Sequence, residues 1–310
     1  MLEGVAVVIP SLGAPSLIQC LAALEAQSRQ PDRIIVVLSG SADPPRVGSA
    51  VTWFRCAERL GFAAAVNQGI RALPSDVSFV ALLNDDAEPA PSWLGTLLSA
   101  LKDNDALTAV QGTVVTTDNP PVVDGRGLAF DRLGLPVQVD RGMAPDDGIR
   151  KLENRLGVSA TAAIFRRKDL DAVRLKDGSI LDETFDSYHE DTDLALRLLR
   201  LGLETAWVPG ASCRHLGSAS GRRRSWRHPW WILANRWRAL AGNLTPIAFG
   251  LSFPRLIAGE VRAVRTLART NPRAIPVAFL VLVSLPFLKI QGWLRQTPGP
   301  RLHRLPLDPP

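Results

Sequence analysis

The chain has 310 residues, 46% hydrophobic and 21% charged, enough to bury the core of one large α/β domain, alone or with an appendage. This composition excludes disordered and fibrous classes. Cys20, Cys56 and Cys213 are scattered and include no CxxC pair, which excludes a disulfide framework or a zinc knuckle and predicts buried free thiols. The net charge of +6 is unevenly spread: residues 1–213 carry 20 Lys and Arg against 28 Asp and Glu, whereas residues 214–310 carry 16 against 2. An acidic body with a basic tail predicts two surfaces with different partners. On charge alone the tail suits nucleic acid, anionic lipid or a phosphorylated substrate.

Val5 to Ile9 is a short apolar run stopped by Pro10-Ser11, as in a buried parallel strand. Ser16 to Gln27 carries Leu17, Leu21 and Leu24 at helical spacing, and Ile34 to Leu38 is a second buried run. Phe62 to Leu73 reads as a helix, Val77 to Leu83 as a strand, and Ser92 as the cap of a helix reaching about Lys102. Leu107 to Val115 is a further strand. Residues 116–155, rich in Gly, Pro and Asp, predict an irregular excursion with short segments such as Val137 to Val139; a loop that long is usually functional. Gly157 to Phe165 reads as a strand returning to the core, and Glu190 to Leu201 as an amphipathic helix with Leu194, Leu198 and Leu201 on one stripe. Thr205 to Val208 closes the body. The alternation predicts a mostly parallel sheet with helices on both faces.

From Arg222 the texture changes. Arg222-Arg223-Arg224, Trp226, Arg227, Trp230, Trp231, Arg236, Trp237 and Arg238 interleave cations with indoles. The longest apolar stretch, Ile275 to Leu288, is interrupted by Pro276 and Pro286, and its fourteen residues fall short of the ~20 of a spanning helix. Interfacial attachment or a buried helix is expected. Glu3 follows the first two residues at once, so no signal peptide is expected.

Four constellations could carry chemistry. Asn84-Asp85-Asp86 follows a buried strand, where parallel sheets bind ligands, and its carboxylates suit Mg²⁺ or Mn²⁺ shared with a diphosphate; a solvated Asx turn is the plain alternative. Tyr188-His189-Glu190-Asp191-Thr192-Asp193 opens a helix, where acids are stabilised by the dipole. One of those carboxylates could also take a proton from an attacking hydroxyl. His215, in Cys213-Arg214-His215, is on its own more often structural than a ligand. Arg59-Leu60-Gly61-Phe62, with Asn67-Gln68-Gly69, places a glycine before a helix N-terminus, a natural anion or sugar-oxygen site. No Walker A, GxGxxG or HExxH motif occurs, which counts against kinase, dehydrogenase and zinc-protease readings.

Taken together and in order, Val5 to Ser11, Arg59 to Gly69, Leu82 to Pro89 and Phe185 to Leu201 resemble family 2 glycosyltransferases of the GT-A fold. Arg59 to Gly69, with Val208-Pro209-Gly210-Ala211, His215 and Trp230 to Arg236, are similar to the rhamnosyltransferase- and galactofuranosyltransferase-like branch. The resemblance covers roughly residues 4–240 and implies an α/β GT-A domain over residues 1–220, followed by a helical, basic and aromatic region over residues 221–310. It implies Asp86 and His215 as ligands of Mn²⁺ or Mg²⁺, Asp191 as general base and Glu190 as acceptor-binding. Pro10, Ser11, Asn67, Asn84 and Asp85 would contact the donor. The chain departs from the family at Leu38, where an acid that meets the base or ribose is expected; Asp43 comes too late to replace it.

The implied activity is an inverting, metal-dependent transfer from a dTDP- or UDP-linked sugar to a hydroxyl of a glycan or polyprenyl-linked acceptor, as in cell-surface polysaccharide synthesis. The rival is an inactive GT-A-like module that binds nucleotide or glycan. For the tail, three readings stand: nucleic-acid binding, which lacks any accompanying motif; packing on the body; and an interfacial anchor, favoured by Trp and Arg at the headgroup level. The anchor predicts a cytoplasmic enzyme, peripheral on the inner face of the plasma membrane, that meets an anionic membrane surface and no nucleic acid.

Overall fold

A computed structural model describes residues 4–45, 51–145, 151–217, 225–295 and 299–307; Arg222-Arg223-Arg224 therefore lies outside the described residues. The chain opens with β1 (Gly4–Ser11), α1 (Leu17–Glu25), β2 (Arg33–Ser39) and β3 (Val51–Cys56). There follow α2 (Phe62–Arg71), β4 (Val77–Leu83), β5 (Ala87–Pro89), α3 (Trp93–Asp103) and β6 (Leu107–Thr116). The excursion holds β7 (Val123–Gly125), β8 (Leu128–Phe130), β9 (Pro136–Gln138) and β10 (Glu153–Arg155), with β8 and β9 paired as a separate hairpin. Then come β11 (Ala162–Arg166), α4 (Arg167–Ala172), α5 (Glu190–Arg200) and β12 (Glu204–His215). Three helices complete it: α6 (Arg227–Asn243), α7 (Pro246–Ala268) and α8 (Ala274–Arg295).

The main sheet has the order β10-β12-β6-β11-β4-β1-β2-β3. β1, β2, β3 and β4 are parallel, and β11 runs antiparallel to both β4 and β6. β6 and the parallel β12 thus share the direction of β1, and all six strands end at one edge. Alternate residues of β1 divide between the two faces. Val5, Val7 and Ile9 pack with Leu17, Leu21 and Leu97 of α1 and α3; Ala6 and Val8 pack with Val66 and Ile70 of α2 and Leu194 and Leu198 of α5. Burial on both faces explains why these strands read as unbroken apolar runs.

Four local expectations change. β3 has no counterpart in the sequence reading because it is an edge strand of half-buried and exposed residues. The strand expected from Gly157 begins only at Ala162. In the stretch before it, Ser159 N–H donates to Gln111 Oε1 at 2.6 Å and Thr161 O accepts from Asn84 N–H at 2.9 Å, bonds that replace a ladder. Ser92 precedes α3 but makes no side-chain capping bond. Leu201 is exposed rather than part of the apolar stripe.

β12 runs seven residues past its expected end. Its register with β6 shifts between Trp207 and Ser212, so Pro209-Gly210 forms a bulge rather than a stop. A Cβ on Gly112 of β6 would lie 2.3 Å from Ala211 O, so this close crossing requires glycine.

The C-terminal helices form a third layer. Leu233, Trp237 and Leu240 of α6 share a cluster with Phe130, Phe185 and Leu196 of the body. The Arg and Trp residues of α6 do not form an exposed interface, because Trp231, Arg236, Trp237 and Arg238 are buried. α8 is one continuous helix of 22 residues, long and apolar enough by composition to cross a membrane. Pro276 falls in its first turn, where no intrahelical N–H bond is needed, and Pro286 is accommodated inside it.

Candidate active site

A cavity of about 1520 Å³ lies over the carboxyl edge of the sheet. Its lining includes Pro10 and Ser11 from β1, Asn84, Asp85 and Asp86 after β4, Glu190 and Asp191 of α5, and His215 at the end of β12. Eight of the nine residues singled out in the sequence therefore meet in one place. The exception is Asn67, which is not among the lining residues. Its amide is buried against the 180–183 segment, accepting from Ile180 N–H (3.0 Å) and Leu181 N–H (2.9 Å) and donating to Leu181 O (2.8 Å) and Glu183 Oε1 (3.0 Å). A helical Asn in a motif gives no sign of which way it points; tertiary contacts turn this one away from the cavity.

Asp86 and His215 come together because β5 pairs with β12, setting His215 opposite Ala87. His215 Nε2 lies 3.2 Å from Asp86 Oδ1, and its Nδ1 lies 2.8 Å from Asp124 Oδ2. Burial works against protonation of His215, but the hydrogen bonds to Asp124 and Asp86 outweigh it and raise the pKa to about 9. The fixed ring presents one nitrogen to Asp86, and once that nitrogen gives up its proton, an oxygen and a nitrogen donor at this spacing fit Mn²⁺ or Mg²⁺. Among the described residues no group of three or more His, Cys, Asp and Glu forms a complete metal site, so other ligands would come from a diphosphate and water. Asp124, on β7, was missed in the sequence because an isolated acid in an irregular stretch has no motif around it. It also meets Arg141 at 3.2 Å.

Asp85 is tied to the first loop: Ser11 Oγ donates to its Oδ2 at 2.6 Å, and that Oγ accepts from Gly13 N–H at 2.9 Å. Burial raises the Asp85 pKa, with the neighbouring Asp86 adding to the shift. Asn84 Oδ1 is buried with no hydrogen-bond partner among the described residues, so a sugar or ribose hydroxyl would satisfy it. At the β2 edge, Leu38 is fully buried and Ser39 lines the cavity in its stead. Asp43 instead pairs with Arg55 at 2.7 Å on the surface.

Glu190 and Asp191 begin α5. Burial is the largest influence on both and raises both, Glu190 well above the usual carboxylate range. Asp191 is held by the backbone amides of Thr192, at 2.7 Å, and Ala160. Glu190 Oε2 is buried with no partner among the described residues. The pair thus joins a fixed carboxylate suited to accept a proton and an acid suited to hydrogen-bond a ligand hydroxyl. Gly61 permits a close approach of Asp186, in the loop before these acids: an added Cβ would lie 2.1 Å from Asp186 Oδ1.

The sheet order, the acids at its carboxyl edge and the helical C-terminal region define a GT-A fold. The profile described as glycosyl transferase family 2 matches residues 6–174, more than half of the chain, and the chain belongs to that family. No curated protein sequence matches it. Among solved structures it is similar to GalNAc-T7 with UDP, GalNAc and Mn²⁺, at 14% identity and a TM-score of 0.61, covering 79% of this chain and 48% of that one. The chain thus spans about half the length of GalNAc-T7. It is also similar to the mannosyltransferase PcManGT from Pyrobaculum calidifontis in complex with GDP-Man and Mn²⁺, at 18% identity and a TM-score of 0.52, covering 94% of this chain and 84% of that one.

Proposed function

We propose that the chain is an inverting, metal-dependent glycosyltransferase moving a sugar from a nucleoside-diphosphate donor to a hydroxyl of a glycan or lipid-linked acceptor in cell-surface polysaccharide synthesis. The observation that carries this reading is the meeting of Asp86 and His215 with Glu190 and Asp191 in one cavity. Similar structures were solved with Mn²⁺ and with UDP or GDP-Man. Asn84 and Asp85 meet sugar or ribose hydroxyls, and Pro10, Ser11 and Ser39 line the nucleoside end. Glu190, whose pKa burial raises, hydrogen-bonds the acceptor, while Asp191 takes the proton from its attacking hydroxyl. A divalent metal held by Asp86 and His215 would supply charge for the departing diphosphate.

Rhamnosyl or galactofuranosyl transfer is the specific activity proposed, from the branch motifs. A panel of nucleotide sugars, beginning with dTDP-rhamnose and UDP-galactofuranose, is expected to show hydrolysis that requires Mn²⁺ or Mg²⁺. Binding without turnover across the panel would instead support a nucleotide- or glycan-binding module, the reading favoured by the absence of an acid at Leu38.

We further propose that α7 and α8 seat the enzyme on an anionic membrane surface, placing it in the cytoplasm on the inner face of the plasma membrane. Ile247 and Leu251 of α7, and Ile275, Phe279, Val283, Phe287 and Ile290 of α8, are exposed, Leu251 at 80%. An apolar surface of this extent on one layer is a mark of an interaction site. Exposed Arg255, Arg265, Arg269, Arg273 and Lys289 accompany it, and the sole acid on these helices, Glu260, is buried. A second copy would oppose cations to cations; an anionic bilayer complements them. α8 uses Val277, Ala278, Val281, Leu288 and Gly292 as its buried face, so it lies along the protein rather than standing free. The full chain is expected to float with liposomes containing phosphatidylglycerol, and Phe279→Glu with Phe287→Glu to remain in the soluble fraction. Equal flotation of the two would exclude this face as the anchor.

A further inference from the structure

The backbone directly before Glu190 is strained. Asp186 has φ 59° and ψ −65°, and Ser187 N–H donates to Phe185 O at 2.6 Å. These mark a γ-turn of the hand that is rare for L-residues. Tyr188 and His189 follow with φ 71° and 69°, so two non-glycine residues in succession occupy left-handed backbone. Such conformations persist only where the surroundings over-determine them, and they cluster at functional sites.

The surroundings here come from α6. Asn235 is fully buried, and its Nδ2 donates to Phe185 O at 2.8 Å and to Ser187 O and Tyr188 O at 3.0 Å each. One amide group, with two protons, is shared among three carbonyls of the strained turn. Its orientation is set from behind, because Asn235 Oδ1 accepts from Arg238 Nη1 at 2.7 Å, and the same nitrogen reaches Thr184 O at 3.3 Å. One turn earlier on α6, Ile232 O accepts from the His189 imidazole. Beyond the turn, Asp193 N–H donates to His189 O at 2.9 Å, so the last strained residue is also the first acceptor of the helix that carries both acids.

We propose that Asn235 is a positioning residue for the acid pair: its amide holds residues 185–189 in the strained form that directs Glu190 and Asp191 into the cavity. The inference rests on the reading of Asp191 as general base. It makes α6 part of the catalytic unit rather than an appendage to it. A displacement of the acids by about 1 Å is enough to cost on the order of 100-fold in rate.

The test compares the full-length wild type with Asn235→Ala, using the nucleotide sugar that the wild type hydrolyses and Mn²⁺ as probes. Asn235→Ala is expected to lower kcat by about 100-fold, with donor KM and Mn²⁺ affinity within about threefold of wild type. Amide exchange in the segment 184–192 is expected to rise. Adding Asp186→Gly, which relieves the positive-φ cost, should restore at least about tenfold of the lost kcat, whereas a packing defect would not be rescued. Unchanged kcat, unchanged exchange or no rescue would each overturn the proposal. If Asn235→Ala does not fold, Asn235→Ser, which keeps one donor, takes its place; failure of both to fold would also overturn it, since the amide would then hold the whole fold. A wild type without turnover would count against the enzymatic reading, and the exchange measurement would still decide whether the clamp exists.

Discussion

Asp191→Asn is expected to abolish transfer, by at least about 10²- to 10⁴-fold in kcat, the usual contribution of a general base. The substitution preserves shape and leaves the amide of Thr192 facing an oxygen, but the side chain can no longer take a proton. Mn²⁺-dependent nucleotide binding, measured by calorimetry, should persist, because the proposed metal ligands, Asp86 and His215, pair with each other rather than with Asp191. Glu190→Gln provides the contrast: it keeps a hydrogen-bond donor and should mainly raise the acceptor KM. The assignment of Asp191 would not survive wild-type turnover in Asp191→Asn, and an exchange of the two phenotypes would move the base to Glu190.

The second large effect is expected at the metal. Asp86→Ala should remove the metal dependence of nucleotide binding, weakening affinity in Mn²⁺ by more than about 100-fold, the upper range for groups one step removed from a metal. Asp124→Asn, one step removed, should fall within about 10- to 100-fold, because it leaves the proposed ligands in place and weakens the hold on the His215 ring along with the pairing to Arg141. Titrations with and without Mn²⁺ separate these outcomes. Retention of metal-dependent binding in Asp86→Ala would place the ion elsewhere.

Much of the site was legible because the strands that carry it are buried on both faces. Apolar runs ending at Pro10, at Ser39 and before Asn84 mark where a parallel sheet stops and ligands bind, and the acids at those stops were found. His215 was named from its resemblance to the family, but the strand reading ended β12 at Val208 because Pro209-Gly210 looks like a terminator. In the folded chain the bulge lets the strand continue, and only the pairing of β12 with β5 brings His215 beside Asp86. The helix-mouth argument for Asp191 likewise met a stronger influence, since desolvation outweighs the hydrogen bonds from Thr192 and Ala160 that favour its ionised form.

The C-terminal region shows the reverse error. Interleaved Arg and Trp over residues 226–238 suggested an interface, yet α6 is interior. Its guanidinium groups are stabilised by partners that no local pattern reveals, such as Glu260 at 3.1 Å from Arg236, and the exposed apolar surface lies on α7 and α8.

By itself, then, the sequence determined the α/β alternation, the sheet edge where ligands meet, and the acids placed there, because periodicity and strand ends are local properties of the chain. Tertiary structure alone decided that Asn67 faces inward, that Asp124 backs His215, and that α6 clamps the turn before Glu190. Each of those depends on hydrogen bonds between segments tens of residues apart, 113 between Asn67 and Ile180 and 91 between Asp124 and His215, and such partners leave no trace in spacing or composition.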